Sequence, residues 1–386
     1  MKKTLLALLL ALPLAQPVAA LAASAAAIPT PPPVPTSGYI LIDHDSGRVL
    51  AEQRSGERME PASITKVMTA YIVFTALKEK RLARTDIVPV SVNAWRTGGS
   101  ASGGSTTIRE VKSQVPVDVR VKGMIVQSGN DATIALAEKL GGTEEGFVQI
   151  MNEYARRLGL KDTHFANSWG GPAPDHYTTA RDLATLAHAL IRDFPEDYKT
   201  YSIREFTWNK HTQPNRNGLL ARDPSVDGIK TGHTESAQYC LVTSASRNGM
   251  RLISVVLGSP SIKAREDASA ALINYGYTFY ETIKLHEPMT PVVTPQVYKG
   301  ESDSVGVGSR QAISVTIARG QADQITKDIT VNSPLVAPIA AGAVVGQYTV
   351  KVGDEVVARV PLVALTKVDQ GGLWRTGIDS IKLWFE

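Results

Sequence analysis

Three short motifs hold the residue types that acyl transfer requires: Ser63-Ile64-Thr65-Lys66, Ser128-Gly129-Asn130 and Lys230-Thr231-Gly232, in that order along the chain. A serine hydroxyl is a poor nucleophile unless a base lies within hydrogen-bond reach, and spacing i to i+3 on a helix puts Lys66 on the face of Ser63. Lys66 can take the proton only if its pKa falls from about 10.4, which burial and a second nearby cation both favour. Lys230 is the candidate cation. Each motif alone is weak, since a chain of this length holds about one Ser-x-x-Lys and about one Ser-x-Asn by chance. Their joint placement is more specific: the first opens a helix, the second precedes one, and the third sits on a strand.

Helix position supplies the oxyanion contact. Pro61 suits the first helical position, so the N–H of Ser63 is among those without an intrahelical partner and can face a developing oxyanion. The backbone N–H of His233 is the candidate second donor, and Gly232 removes a side chain where substrate must approach the backbone. Cys240 reads as a small buried hydrophobe on a strand.

The elements that must position these groups follow from pattern. Tyr39 to Ile42 and Arg48 to Glu52 flank Asp43-His44-Asp45-Ser46-Gly47, turn chemistry between two strands. Residues 59–80 predict a helix whose apolar residues surround its axis, so it belongs in the domain centre. Further helices are expected at 131–140, 144–158 and 179–192. Strands are expected at 226–231, 239–246 and 250–258, the last two joined by Asn248-Gly249, and a helix from 264 to 275 or beyond. Strands at both ends with helices between imply an α+β domain whose terminal strands pair. From His286 the composition turns to Pro, Val, Thr and Gly, with strands expected at 311–318, 344–350 and 355–365, a small all-β second domain.

Composition narrows the function classes. The 386 residues carry 41 Lys+Arg against 37 Asp+Glu, a net +4 that argues against a nucleic-acid partner, and 43% hydrophobic content suffices for a sizeable core. One cysteine excludes an intramolecular disulfide and a Cys-based zinc site. No glycine-rich phosphate loop and no HExxH spacing occur, so neither a cofactor nor a metal is expected. Lys2-Lys3, the apolar run from Leu5 to Leu14 and small residues beyond it have the layout of a secretory signal, with cleavage expected after Ala22 or Ala25. Residues 28–36 read IPTPPPVPT, an extended tether.

Beyond the triplets, PASITKVMTA, GMIVQSGNDATIALAE, HYTTARDLA, NRNGLL and VDGIKTGHTESA stand in one order. In these segments the chain resembles the serine-type D-alanyl-D-alanine carboxypeptidases, the low-molecular-weight penicillin-binding proteins. The resemblance implies an antiparallel sheet with a helical cluster in a transpeptidase- or β-lactamase-like domain, then a small all-β domain and a C-terminal amphipathic helix. The corresponding boundaries are 1–25 signal peptide, 26–36 linker, 37–284 catalytic domain, 285–370 β-rich domain and 371–386 anchor. By the same resemblance Ser63 is the acylated serine, Lys66 its base, and Ser128 and Asn130 the second motif that relays a proton and holds substrate. Lys230, Thr231, Gly232, His233, Arg216 and Arg265 fall on the substrate side, where an arginine fork suits a terminal carboxylate. The implied partners are peptidoglycan stems ending in D-Ala-D-Ala and β-lactam antibiotics. The implied reaction is loss of the terminal D-alanine through an acyl-serine. The chain departs from the family pattern at Ala221 and Gln238, and a side chain as long as Gln238 would crowd the cleft or the layer behind it. Residues 98–105 resemble the loop that influences deacylation.

Other activities on this frame remain open: a D,D-endopeptidase, a weak β-lactamase, or a catalytically weak wall-binding scaffold. Against the lactamase, the Glu-x-x-Leu-Asn stretch such an enzyme needs between the second and third motifs is missing. The last residues, LWRTGIDSIKLWFE, place Leu373, Trp374, Ile378, Ile381, Trp384 and Phe385 in one arc of a helix, with the charges opposite. That pattern suits a membrane-surface helix, which the resemblance implies lies at the outer face of the cytoplasmic membrane on the periplasmic side, with docking onto the β-rich domain as the competing reading.

Overall fold

The computed structural model describes residues 28–99 and 113–384. The expected signal peptide, most of residues 98–105, Phe385 and Glu386 lie outside the described residues.

Five antiparallel strands form the main sheet, in the order Val49–Gln53, Gly38–Asp43, Met250–Ser259, Gln238–Arg247, Val226–Thr234. The pairing of Gly38–Asp43 with Met250–Ser259, more than 200 residues later in the chain, closes the domain as the strand–helix–strand pattern implies. Side chains alternate between its faces. Ile40, Ile42, Val242 and Val255 join the core under the helical cluster, while Leu41, Leu241 and Val256 join the core under the helix Ile262–Phe279. That helix begins at Ser261, whose hydroxyl accepts from the N–H of Ala264.

The expected helix of residues 59–80 has two parts. A 3-10 turn, Ala62–Thr65, precedes the α-helix Lys66–Lys78. Helices Asn130–Gly141, Glu144–Arg157 and Ala180–Asp193 surround it, and ten of its thirteen residues are buried. Because it carries no single apolar stripe, the sequence fits only a site enclosed on all sides. The helix Val117–Val126, which leads into Ser128, carries no cap residue that announces it in the sequence.

Beyond residue 280 a second five-stranded sheet has the order Pro291–Val293, Val307–Gly308, Glu355–Ala364, Val344–Val352, Ile325–Val331. The first hairpin's turn meets this unit. The Ser46 and Thr316 hydroxyls lie 2.6 Å apart, Arg48 Nη1 donates to the Thr316 carbonyl, and Thr282 Oγ1 donates to Asp43 Oδ2 at 2.7 Å. The proline-dense residues 28–36 are docked rather than free: Tyr275 Oη donates to the Pro29 carbonyl at 2.9 Å, and Ile28 and Val34 pack on the core under Ile262–Phe279.

The last helix, Leu373–Lys382, turns its polar side inward. Asp379 is buried and accepts from the N–H of Lys299 at 2.7 Å, and Arg375 pairs with Asp303. Leu373 is 94% exposed and Trp384 91%. The helix therefore docks by its charged face and leaves the apolar arc outward.

Candidate active site

The three motifs meet at one cleft of about 620 Å³, walled by Ser63, Ser128, Asn130, Trp169, Gly170, Arg216, Thr231, Gly232, His233 and Arg265, among others. Each side chain is set by a different element. Ser63 sits on the 3-10 turn, where residues i and i+3 eclipse, so Lys66 stands directly over it. Lys66 Nζ is 2.9 Å from Ser63 Oγ. It also donates to Asn130 Oδ1 at 2.8 Å and to the Trp169 carbonyl at 2.6 Å. Lys66 is buried, and burial first, then the Lys230 charge, hold its pKa well below the usual lysine value.

That hydrogen-bond pattern matters chemically. The Asn130 amide oxygen and the Trp169 carbonyl can only accept, so they take two N–H bonds of the amine. A neutral amine has two N–H bonds and one lone pair, and the remaining direction faces Ser63. In the uncharged form, which burial favours, the amine would turn its lone pair towards Ser63 Oγ. Ser128 adopts a left-handed backbone, φ +64°, and its hydroxyl lines the cleft, where it has no partner among the described residues.

Lys230 lies behind the cleft wall rather than on it. It is 2% exposed and Nζ donates to the Thr231 carbonyl at 3.2 Å. Burial, then Arg265 and Arg216, push its pKa down to about 7. Lys230, Arg216 and Arg265 give this end of the cleft a concentrated positive field, suited to a carboxylate. Arg265 has a further job: Nη1 donates to the Gly232 carbonyl at 3.1 Å, bracing the edge strand from the helix behind it. His233 packs on Tyr239, ring centroids 4.2 Å apart.

Two sequence expectations are corrected here. A Cβ at Gly232 would come 2.9 Å from the Pro61 carbonyl and 3.2 Å from Ala62 Cβ. The glycine therefore lets the strand pack against the turn that carries Ser63, before any question of substrate. Gln238 does not crowd the cleft: it is exposed at the first position of its strand, just past the hairpin turn, with φ +54°, a backbone that favours glycine. Ala221 is likewise exposed, on the single turn Leu219–Arg222. Cys240 is buried as expected, its thiol pushed up to about 11 by burial.

The loop of residues 165–176 was not foreseen. The Asn167 side chain accepts from the N–H groups of Gly170 at 2.7 Å and Gly171 at 3.0 Å, curling the chain so that the Trp169 carbonyl reaches Lys66. Gly170, at φ +90°, lies so close to the Ala62 carbonyl that a side chain has no room. Asn-x-x-Gly-Gly signals a turn in sequence, but nothing in it signals a contact with Lys66.

Similarity to known proteins agrees with this geometry. Residues 25–261 match the family described as D-alanyl-D-alanine carboxypeptidase, and residues 280–370 match the C-terminal domain of penicillin-binding protein 5. The chain is 42% identical over 357 residues to D-alanyl-D-alanine carboxypeptidase DacC of Escherichia coli (strain K12), covering 92% of this chain and 89% of that one. It is 34% identical to DacF of Bacillus subtilis (strain 168), covering 86% of each. Penicillin-binding protein 5 from Haemophilus influenzae superposes with a TM-score of 0.81 at 40% identity, over 88% of this chain and 99% of that structure. The chain belongs to the D-alanyl-D-alanine carboxypeptidase family.

Proposed function

We propose that the protein is a serine D,D-carboxypeptidase that removes the terminal D-alanine from peptidoglycan pentapeptide stems through an acyl-Ser63 intermediate. The observation that carries this reading is the buried Lys66 amine 2.9 Å from Ser63 Oγ, with its other two hydrogen-bond directions on obligate acceptors. In the neutral form its lone pair takes the Ser63 proton as Oγ attacks the carbonyl of the penultimate D-alanine. The N–H groups of Ser63 and His233 receive the oxyanion. Ser128, next to the Lys66–Asn130 pair, hands its proton to the leaving nitrogen and takes in exchange the one Lys66 removed from Ser63, so D-alanine departs and Lys66 is neutral again. Water then attacks the acyl-serine, Lys66 accepts its proton, and Ser63 Oγ is released reprotonated.

The terminal carboxylate belongs at the Lys230, Thr231, Arg216 and Arg265 end, where the field is positive. Thr231 and the edge strand Val226–Thr234 offer hydrogen bonds to an extended peptide. β-Lactams, whose ring carbonyl and carboxylate have the same relative placement, acylate the same serine. Among the described residues the carboxylate on the cleft wall is Glu235, exposed and at the rim, so activation of water for rapid release of a β-lactam acyl group is not built in.

For location we propose the periplasm, with peripheral attachment to the outer face of the cytoplasmic membrane through the C-terminal helix. The outward apolar arc with two tryptophans supports this. Among the described residues no helix is long and apolar enough to cross a membrane. The test of the activity is incubation with a diacyl-Lys-D-Ala-D-Ala tripeptide and, separately, with penicillin. Free D-alanine and a mass adduct on Ser63 are expected, and Ser63→Ala should abolish both. An intact tripeptide with no adduct would leave the scaffold reading.

A further inference from the structure

His176 lies outside the three motifs, yet it ties together the two pieces of chain that grip Lys66. It is 4% exposed. Its Nδ1 is 2.9 Å from the N–H of Ala166, and its Nε2 is 2.8 Å from Thr65 Oγ1. A backbone N–H can only donate, so Nδ1 must be unprotonated and the ring proton sits on Nε2, donated to Thr65. The imidazole is therefore held in one neutral tautomer between the 165–176 loop and the Ser63 turn.

The same two pieces touch at three further points. Lys66 donates to the Trp169 carbonyl, Thr69 Oγ1 donates to the Ser168 carbonyl at 2.6 Å, and Gly170 packs on the Ala62 carbonyl. At its neck the loop is closed by the pairing of His164 with Tyr177, and the adjacent Thr178 pairs with Met59, just before the Ser63 turn. His176 sits at this neck, where a small rotation of the loop is magnified at Trp169.

We infer that His176 is a positioning residue for acylation, whose single neutral tautomer registers the Trp169 loop against the Ser63 turn and so fixes the Lys66 amine over Ser63. Without the imidazole, Trp169 can withdraw its carbonyl from Lys66. The amine then loses one of the two acceptors that orient its lone pair. An imidazolium would set a second N–H against the N–H of Ala166 and break the register. The titratable group facing the ring is His164, of the same sign when charged. From the Ser63 turn it meets the Thr65 hydroxyl, and from the loop the Phe165 ring. Burial, with His164, lowers the His176 pKa to about 4, so the neutral tautomer persists through the neutral range.

The inference rests on Ser63 being the acylated residue, and wild-type protein labelled with a fluorescent penicillin in the same experiment tests that separately. The variants are His176→Phe, His176→Gln and Thr65→Val, each compared at equal folded fraction by thermal melting. His176→Phe should slow acylation by about tenfold or more, because a displacement of about an ångström at the base costs that much. With a diacyl-Lys-D-Ala-D-Ala tripeptide the loss should fall on kcat while KM stays near wild type, since the carboxylate end is untouched. Thr65→Val, which removes only the hydroxyl partner, should reproduce much of the loss even if the phenylalanine variant folds poorly. His176→Gln, able to accept from Ala166 and donate to Thr65, should recover most of the rate and should lack an acid limb near pH 4. Wild-type acylation rates in Thr65→Val, an equal loss in the glutamine and phenylalanine variants, or a loss confined to KM would each overturn the inference. An unlabelled wild type would overturn it together with the acyl-Ser63 reading.

Discussion

Lys230→Met is the most informative single change, because its effects on stability and on chemistry run in opposite directions. Lys230 is 2% exposed, no ion pair to it occurs among the described residues, and its pKa falls to about 7 through burial beside Arg265 and Arg216. In the unfolded chain the same amine titrates near 10.4. Between those values the unfolded state binds more protons, so stability rises with pH and is lost as pH falls towards 7. For a drop of about 3.5 units, the linkage relation gives a penalty of roughly 4 kcal/mol at pH 7 that shrinks by about 3 kcal/mol by pH 9.5. Lys66 adds a contribution of the same sign. Methionine fills a similar volume without the charge, so the variant should be more stable at pH 7, by up to a few kcal/mol, and should lack most of the pH slope. Urea unfolding followed by tryptophan fluorescence at pH 7, 8, 9 and 9.5 measures both quantities. The same variant should lose most of its penicillin labelling, since the carboxylate end of the cleft loses a cation and Lys66 a neighbour that lowers its pKa. Parallel stability curves for wild type and variant, or a wild type that weakens from pH 7 to 9.5, would refute the account of a buried, uncompensated ammonium.

Three smaller changes test other contacts. Gly232→Ala should cost about 1–3 kcal/mol in chemical denaturation and sharply slow acylation, because the methyl presses on the Pro61 carbonyl and displaces the Ser63 turn. Gln238→Gly should raise stability by about 0.5–1 kcal/mol with turnover unchanged, since it relieves a left-handed backbone at an exposed strand start. Deleting residues 373–386 should move the protein from the membrane pellet to the soluble periplasmic fraction while leaving penicillin labelling intact. Continued sedimentation with membranes would place the attachment elsewhere.

Much of the fold was legible because it follows local rules. Asn248-Gly249 marks a hairpin, and the helix of residues 66–78 announces burial by having no polar stripe. That the terminal strands could pair followed from strand placement, and the antiparallel sense was what the resemblance implied. The helix Val117–Val126 and the edge strand Ile325–Val331 were not legible: the first has no capping side chain, and the second buries none of its residues, so it carries no apolar alternation to separate it from loop. In the site, Ser63, Lys66, Ser128, Asn130 and the Lys230 strand were visible as motifs. Asn167, Trp169, Gly170 and His176 were not, because they act through backbone carbonyls, close packing and tautomer, none of which has a residue-type signature.

What the sequence determined by itself was chemistry and order: a serine with a lysine three residues on, a second serine and asparagine before a helix, and a lysine on a strand. Spacing within one turn is enough to make the Ser63–Lys66 pair, since both residues ride on the same short stretch of backbone. Tertiary structure alone decided that Lys66 is stripped of water, that its two spare directions end on acceptors 64 and 103 residues away, and that Lys230 stands behind the wall with no ion-pair partner among the described residues. A lysine becomes a base only through those distant contacts, because desolvation and field are properties of the packed interior and not of any local segment.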